Sequence, residues 1–369
     1  MINPADLPYI KENTMENRVI THMGDGERIY MSREEIAQDI LEGTNDAADK
    51  GDIPALTPAE REQLLDILCE SGRVVSVSPG EEVIVTDDAC SLSFYADQEN
   101  SGIGLPMSRH LALLSWERVC CADTGCMGHV DFSYKPVKSI INYETTEYYS
   151  NSQATTFPLF YGAQPNMGLY YKPDGPFENP GELMPAGKIA QAQQVQVDAA
   201  QQMKEDIVFI AKKMNEVGCE GLNLDTSGSA GDADFFAALT AVKEIKKNAP
   251  NMAVELGAAS EFILGMHGDV FFEGERLAGM YPHKQVKMAE KAGADIFGAT
   301  VNVNTSESTP WNLSRAVTFI KETTRVAKIP VHPNVGMGVC GIPMYEVPPI
   351  SAVTRASKAL VQIGKADGL

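Results

Sequence analysis

At 369 residues the chain is long enough for one elaborated α/β barrel or two ordinary domains, and 44% apolar with 22% charged residues marks a folded chain, not a disordered one. Fifty acidic against thirty basic residues leave a formal charge of −20, which repels a phosphate backbone and argues against a nucleic-acid partner. No apolar run is long enough to span a bilayer, the polar start Met1-Ile2-Asn3-Pro4-Ala5-Asp6 does not read as a signal peptide, and seven cysteines, an odd number, do not form a disulfide framework. The expectation is a cytoplasmic protein with reduced thiols and no membrane partner.

Taken from the N-terminus, the first third does not alternate strands with long helices. Helices are predicted at 32–41 and 58–70, with Ser32 and Thr57 as N-caps before Glu35 and Glu60 in capping-box spacing. Two β-branched runs between Arg73 and Thr86 flank Pro79-Gly80 and predict a hairpin. Cys120, Cys121, Cys126 and His129, with His110 upstream, invite a zinc site. Two adjacent cysteines match no standard tetrahedral spacing, however, so no metal is expected. Residues 1–134 are read as a mostly helical appendage containing a hairpin.

From about Lys138 the rhythm becomes short apolar run, polar or glycine-rich turn, long amphipathic helix, which is the alternation of a parallel sheet. Strands are predicted at 139–143, 157–161, 221–225, 253–257, 296–301 and 329–335, and helices at 189–217, 232–248, 283–292, 311–327 and 351–363. A strand-entry phrase recurs: Gly218-Cys219-Glu220-Gly221-Leu222, then Gly293-Ala294-Asp295-Ile296-Phe297, then Gly364-Lys365-Ala366-Asp367-Gly368-Leu369. Each opens with the glycine that commonly follows a helix end. The last phrase opens a seventh strand, one short of a closed barrel of eight. The predicted fold class is therefore α/β, a TIM (β/α)8-type barrel over 135–369 that is incomplete at its C-terminus.

Several long segments resemble dimethylamine:corrinoid methyltransferases. They include Met23-Gly24-Asp25-Gly26 and residues 159–171, which read LFYGAQPNMGLYY. Residues 174–181 (DGPFENPG), 311–319 (WNLSRAVTF) and 348–358 (PPISAVTRASK) match as well, and only the first 22 residues lie outside the resemblance. The resemblance implies methyl transfer from dimethylamine to the Co(I) of a corrinoid carried by a separate protein, giving monomethylamine and methyl-Co(III). It implies no cofactor bound by this chain itself, and a homo-oligomer is the expected assembly. In that family the phrase resembling Ala366-Asp367-Gly368-Leu369 is followed directly by pyrrolysine, encoded by UAG. The expectation is that the gene continues through that codon and that the 369-residue chain alone is inactive.

Barrel chemistry sits at the C-terminal ends of the strands. Asp225 ends a strand before the small, flexible run Thr226-Ser227-Gly228-Ser229-Ala230-Gly231-Asp232, so it is read either as a catalytic acid or as a cap of the next helix. Glu255 lies inside a strand, where an acid must point into the barrel or be paired. Glu261 follows in a loop, open to rim chemistry or to solvation. His332, in Ile329-Pro330-Val331-His332, is either a base or a satisfied core histidine. These four are the catalytic candidates. Asn302, Asn304 and Asn334 can hydrogen-bond an amine or form turns, and Tyr161, Gln164 and Asn166 follow the second strand and shape the mouth.

Two other readings stand beside this one. An aldolase-like or phosphate-handling barrel would need a strand-end lysine or a late phosphate loop, and neither is visible. An amine-binding or regulatory protein without catalysis would suit the acidic surface.

Overall fold

A computed structural model describes residues 18–87, 123–126, 160–162, 164–165, 167–345 and 348–369. The chain opens with an antiparallel hairpin of β1 (Val19–His22) and β2 (Arg28–Met31). Gly26 (φ +102°) allows its turn, and the Asp25 carboxylate accepts the Glu27 amide at 2.9 Å. Gly24 touches the rest of the molecule so closely that a Cβ there would sit 2.3 Å from the Asn304 carbonyl oxygen. The tip is thereby locked onto the loop at 304–307, where the Gly24 amide donates to the Glu307 carbonyl at 2.7 Å.

Two helices follow, α1 (Arg33–Gly51) and α2 (Pro58–Cys69), each begun by a complete capping box, Ser32 with Glu35 and Thr57 with Glu60. α1 runs ten residues past its predicted end. Its continuation, Glu42 to Gly51, is polar with few apolar landmarks, and it stays helical because tertiary packing supplies what periodicity did not show. The predicted hairpin at Pro79-Gly80 does not form. β3 (Ile84–Asp87) pairs in parallel with β4 (Asp123–Cys126) instead. Val75 and Val77 are buried, and the Val75 amide reaches the Thr354 hydroxyl at 3.4 Å, so that run serves the core and not a partner strand.

The central sheet is parallel. β5 (Phe160–Gly162), β6 (Gly221–Ser227), β7 (Ala253–Ala258) and β10 (Ile296–Gly298) lie side by side in chain order. A small antiparallel pair, β8 (Phe271–Phe272) and β9 (Glu275–Arg276), sits in the connection after β7. Beyond β10 the run of 330–334 continues the arc: the Phe297 amide donates to Pro330, His332 donates back to Phe297, and Asn334 donates to Ala299. The last phrase comes alongside this run, since Asp367 donates to the Val331 carbonyl at 3.1 Å and its carboxylate takes the Val331 amide at 2.9 Å.

Helices connect these strands. α3 (Pro180–Leu183) and α4 (Ile189–Glu216) lead into β6, and α5 (Asp232–Asn248) follows it. α6 (Pro282–Ala292) precedes β10, α7 (Thr309–Val326) follows it, and α8 (Ile350–Gln362) leads to the last phrase. Strand residues on the helix side, among them Leu222, Leu224, Val254, Leu256, Phe297 and Val331, are fully buried and form one continuous core with the helices. The described sheet is an arc and not a closed barrel.

The N-terminal helices are seated on this layer. α1 lies along α7, where Gly43 is so close that a Cβ would meet the Trp311 carbonyl oxygen at 2.2 Å. Buried hydroxyls fasten the pair, with Thr44 to Thr318 at 2.9 Å and Ser314 to the Ile40 carbonyl at 2.6 Å. The expected domain boundary near residue 134 lies outside the described residues.

Candidate active site

Strand alternation places side chains at i and i+2 on one face. Along β6 the fully buried Leu222 and Leu224 face the helices, which leaves Asn223 and Asp225 on the inner face. In β7 the same parity gives Val254 and Leu256 to the helices and Glu255 and Gly257 to the inner face. Register aligns Asn223 with Glu255 and Gly298 with Gly257. Across β10, Val331 takes the helix side and His332 the inner one.

The glycines show how tightly these groups converge. A Cβ on Gly257 would lie 3.3 Å from Asp225 Oδ1 and 3.5 Å from Asn223 Oδ1. One on Gly298 would lie 2.9 Å from Gly257 Cα and 3.4 Å from Glu255 Oε1, and one on Gly368 would fall 2.4 Å from His332 Nε2. Two carboxylates and an amide thus crowd the same two glycines, and His332 stands on the inner face of the next run against Gly368.

Asp225 does not cap α5, whose N-cap Gly231 offers no side chain. Its Oδ1 accepts the Thr226 amide at 2.7 Å, and Thr226 sits at φ +58°, a left-handed conformation uncommon for a β-branched residue. The register slips between Leu224 and Ser227 at the same point. Such local strain often accompanies functional positions, and here it aims the aspartate. Glu255 is only 5% exposed, and burial of a carboxylate in so polar a cluster strengthens every electrostatic contact it makes.

His332 has no partner for Nδ1 among the described residues. Burial lowers its pKa below the ordinary histidine value, with nearby Asp367 pulling the other way, so the neutral ring is favoured. Asn223 Oδ1 is likewise buried without a partner among the described residues. Sequence reasoning passed over Asn223, Gly257 and Gly298. Asn223 was reachable, since it stands two residues before Asp225 and must share its face; the glycines had no signal without the register.

Other candidates lie elsewhere. Both carboxylate oxygens of Glu261 are taken by the Arg315 guanidinium, which also binds Asp46 of α1 at 2.7 Å. Arg315 is buried, which by itself would weaken its hold on the proton, yet the Glu261 and Asp46 contacts more than offset this and raise its pKa. Asn302 Oδ1 accepts the Glu261 amide at 3.1 Å. Asn304 forms a turn, its Oδ1 taking the Ser306 amide at 3.1 Å, and Asn334 is exposed at the end of its run.

Gln164 is buried under the β6 loop, donating to Asp234 at 3.1 Å and accepting from Ser227 at 2.6 Å. Asp234 also takes the Ala230 amide at 2.9 Å and the Ser229 hydroxyl at 3.1 Å, a set that shapes the loop beside Asp225. Burial raises the Asp234 pKa against those bonds. Tyr161 lies in β5 opposite Leu222, and nothing is described of its side chain. Asn166 is outside the described residues, as are Cys120, Cys121, His129 and His110. Among the described residues no group of three or more potential metal ligands comes together, and no helix is long and apolar enough to cross a membrane.

Compared with known families, residues 17–369 match the family model described as dimethylamine methyltransferase.

Proposed function

The chain belongs to the dimethylamine methyltransferase family, and from that premise we propose that it passes one methyl group from dimethylamine to the Co(I) of a corrinoid held by a separate protein, leaving monomethylamine and methyl-Co(III). We place this chemistry on the inner face of the parallel sheet and read the described arc as part of an eight-stranded barrel. The observation that carries the assignment is the convergence of Asn223, Asp225 and Glu255 over Gly257 and Gly298.

Dimethylamine is a cation at neutral pH, and it must shed a proton before its nitrogen can act as a nucleophile. Asp225 and Glu255 attract the cation, and Glu255, the more buried of the two, receives the proton. Asn223 Oδ1 accepts an N–H from the amine and fixes its orientation. His332, held neutral by burial, stands on the inner face beside Gly368 and orders the last residues there. The pyrrolysine that the family resemblance puts after Leu369 supplies, when present, an electrophilic imine carbon to which an amine can add. Gly257 and Gly298 let the strands and the three polar groups lie this close, because a Cβ on Gly298 would meet the Gly257 backbone at 2.9 Å and one on Gly257 would meet Asp225 Oδ1 at 3.3 Å.

The assignment is tested by following conversion of the partner's Co(I) to methyl-Co(III) with dimethylamine as donor. A product read through the UAG codon is expected to turn over, and the 369-residue chain is not; turnover by the shorter chain would reject the role given to pyrrolysine, and silence from both would reject the reaction. Glu255→Gln in the active form is expected to lower turnover about a hundredfold or more.

A further inference from the structure

Away from the inner face of the sheet, a cavity of about 780 Å³ opens between β1, the end of α2 and the start of α8. Among the described residues, Arg18, Arg28, Arg73, Arg355 and His22 line it, against a single carboxylate, Glu70. In a chain with fifty acidic and thirty basic residues that ratio is inverted. Glu70 does not correct it, because its Oε2 is bound to Lys358 at 2.8 Å. Arg18 donates to the Tyr30 carbonyl at 2.9 Å, and among the described residues its carboxylate partner is the distant Glu35 at 3.7 Å. Among the described residues, Arg28 and Arg73 pair with no carboxylate. Arg355 is held in place by carbonyls instead, donating to Glu70 at 2.7 Å and to Gly72 at 2.9 Å, which fixes its direction without cancelling its charge.

Two further features supply hydrogen bonds where the arginines supply charge. Thr309 forms part of the wall, is 6% exposed, and its buried Oγ1 has no partner among the described residues. α8, of 13 residues, begins in the same wall with no side-chain cap and no acidic residue in its first turn, so among the described residues no carboxylate caps its positive end.

We infer that this cavity is a binding site for a small polyanion, a phosphate-bearing or polycarboxylate molecule, held by Arg28, Arg73 and Arg355, with Thr309 and the start of α8 as hydrogen-bond donors. Arginine forks match both oxyanions, and the volume is that of a small-ligand pocket. A long polyanion is disfavoured by the charge of −20 over the whole chain. The occupant would tie the N-terminal hairpin to α8, the helix that leads to residues 364–369.

The site is tested by calorimetry on the purified chain with inorganic pyrophosphate and with citrate, at ionic strength matched with chloride. Saturable binding of at least one is expected, and the tighter of the two identifies the oxyanion class. Arg28→Gln with Arg73→Gln, both exposed and clear of the core, is expected to weaken it about tenfold or more. Arg325→Gln, which lies outside the cavity in a pair with Glu322, is expected to leave it unchanged. Absence of saturable binding of either anion, binding indifferent to the double change, or an equal loss in Arg325→Gln would each overturn the inference.

Discussion

At the scale of single residues, the inner face can be probed without dismantling the fold. Asn223 Oδ1 has no partner among the described residues, so Asn223→Ala removes a buried polar atom that the fold does not use. Stability is expected to change by less than about 1 kcal/mol, while the capacity to turn over dimethylamine falls. Urea unfolding and turnover measured on the same preparation separate the two effects, and a large stability loss would show that the amide is structural. Gly298→Ala should also cost stability. Its Cβ would stand 2.9 Å from the Gly257 backbone, which has no free end to move aside, so a loss of about 1 to 3 kcal/mol in unfolding free energy is expected. Asp225 and Glu255 were legible as candidates from their places in predicted strands. That Glu261 is engaged on both oxygens by Arg315 was not, because the partner lies 54 residues away in sequence.

At the scale of elements, the same Arg315 joins three pieces: α7 that bears it, the loop after β7 through Glu261, and α1 through Asp46. Arg315→Met would leave two carboxylates facing a buried gap. A loss of about 3 kcal/mol or more is expected in chemical unfolding, larger than that of Ser32→Ala at the α1 capping box, for which about 1 kcal/mol is expected. Equal losses would mean that the α1 to α7 contact is carried by packing alone. Helices with strong local grammar were legible: both capping boxes, the exact span of α5, and α6, α7 and α8 to within two residues. The turn at Pro79-Gly80 was legible as a turn and misleading as a hairpin. A turn signal reports local backbone preference and says nothing of which strand will offer hydrogen bonds, so the pairing of β3 with β4, distant in the chain, left no trace in the local pattern.

For the whole molecule, acid sensitivity follows from its buried histidines. Burial, aided by Lys284, lowers the His283 pKa to about 4 from 6.5, and burial also lowers His22 and His332. Because the folded state gives up the proton more readily than the unfolded one, this contribution is intact above pH 6.5 and is lost as pH falls toward 4. His283 alone accounts for up to about 3 kcal/mol over that window. Thermal unfolding between pH 7 and pH 5 should therefore show a falling midpoint, shallower in His283→Gln, and a flat profile would show that these rings are not buried neutral.

The succession of strand and helix from β6 onward, the glycine-led entries to β6, β10 and the last phrase, and the acids that stand on strands were all determined by the amino-acid sequence alone. They arise from period, caps and turn residues that act within a few positions. Which polar groups meet, which acid is spent on an arginine, and where α1 comes to rest were decided only in three dimensions. Register between strands and contact between helices are set by burying apolar faces held by residues far apart in the chain.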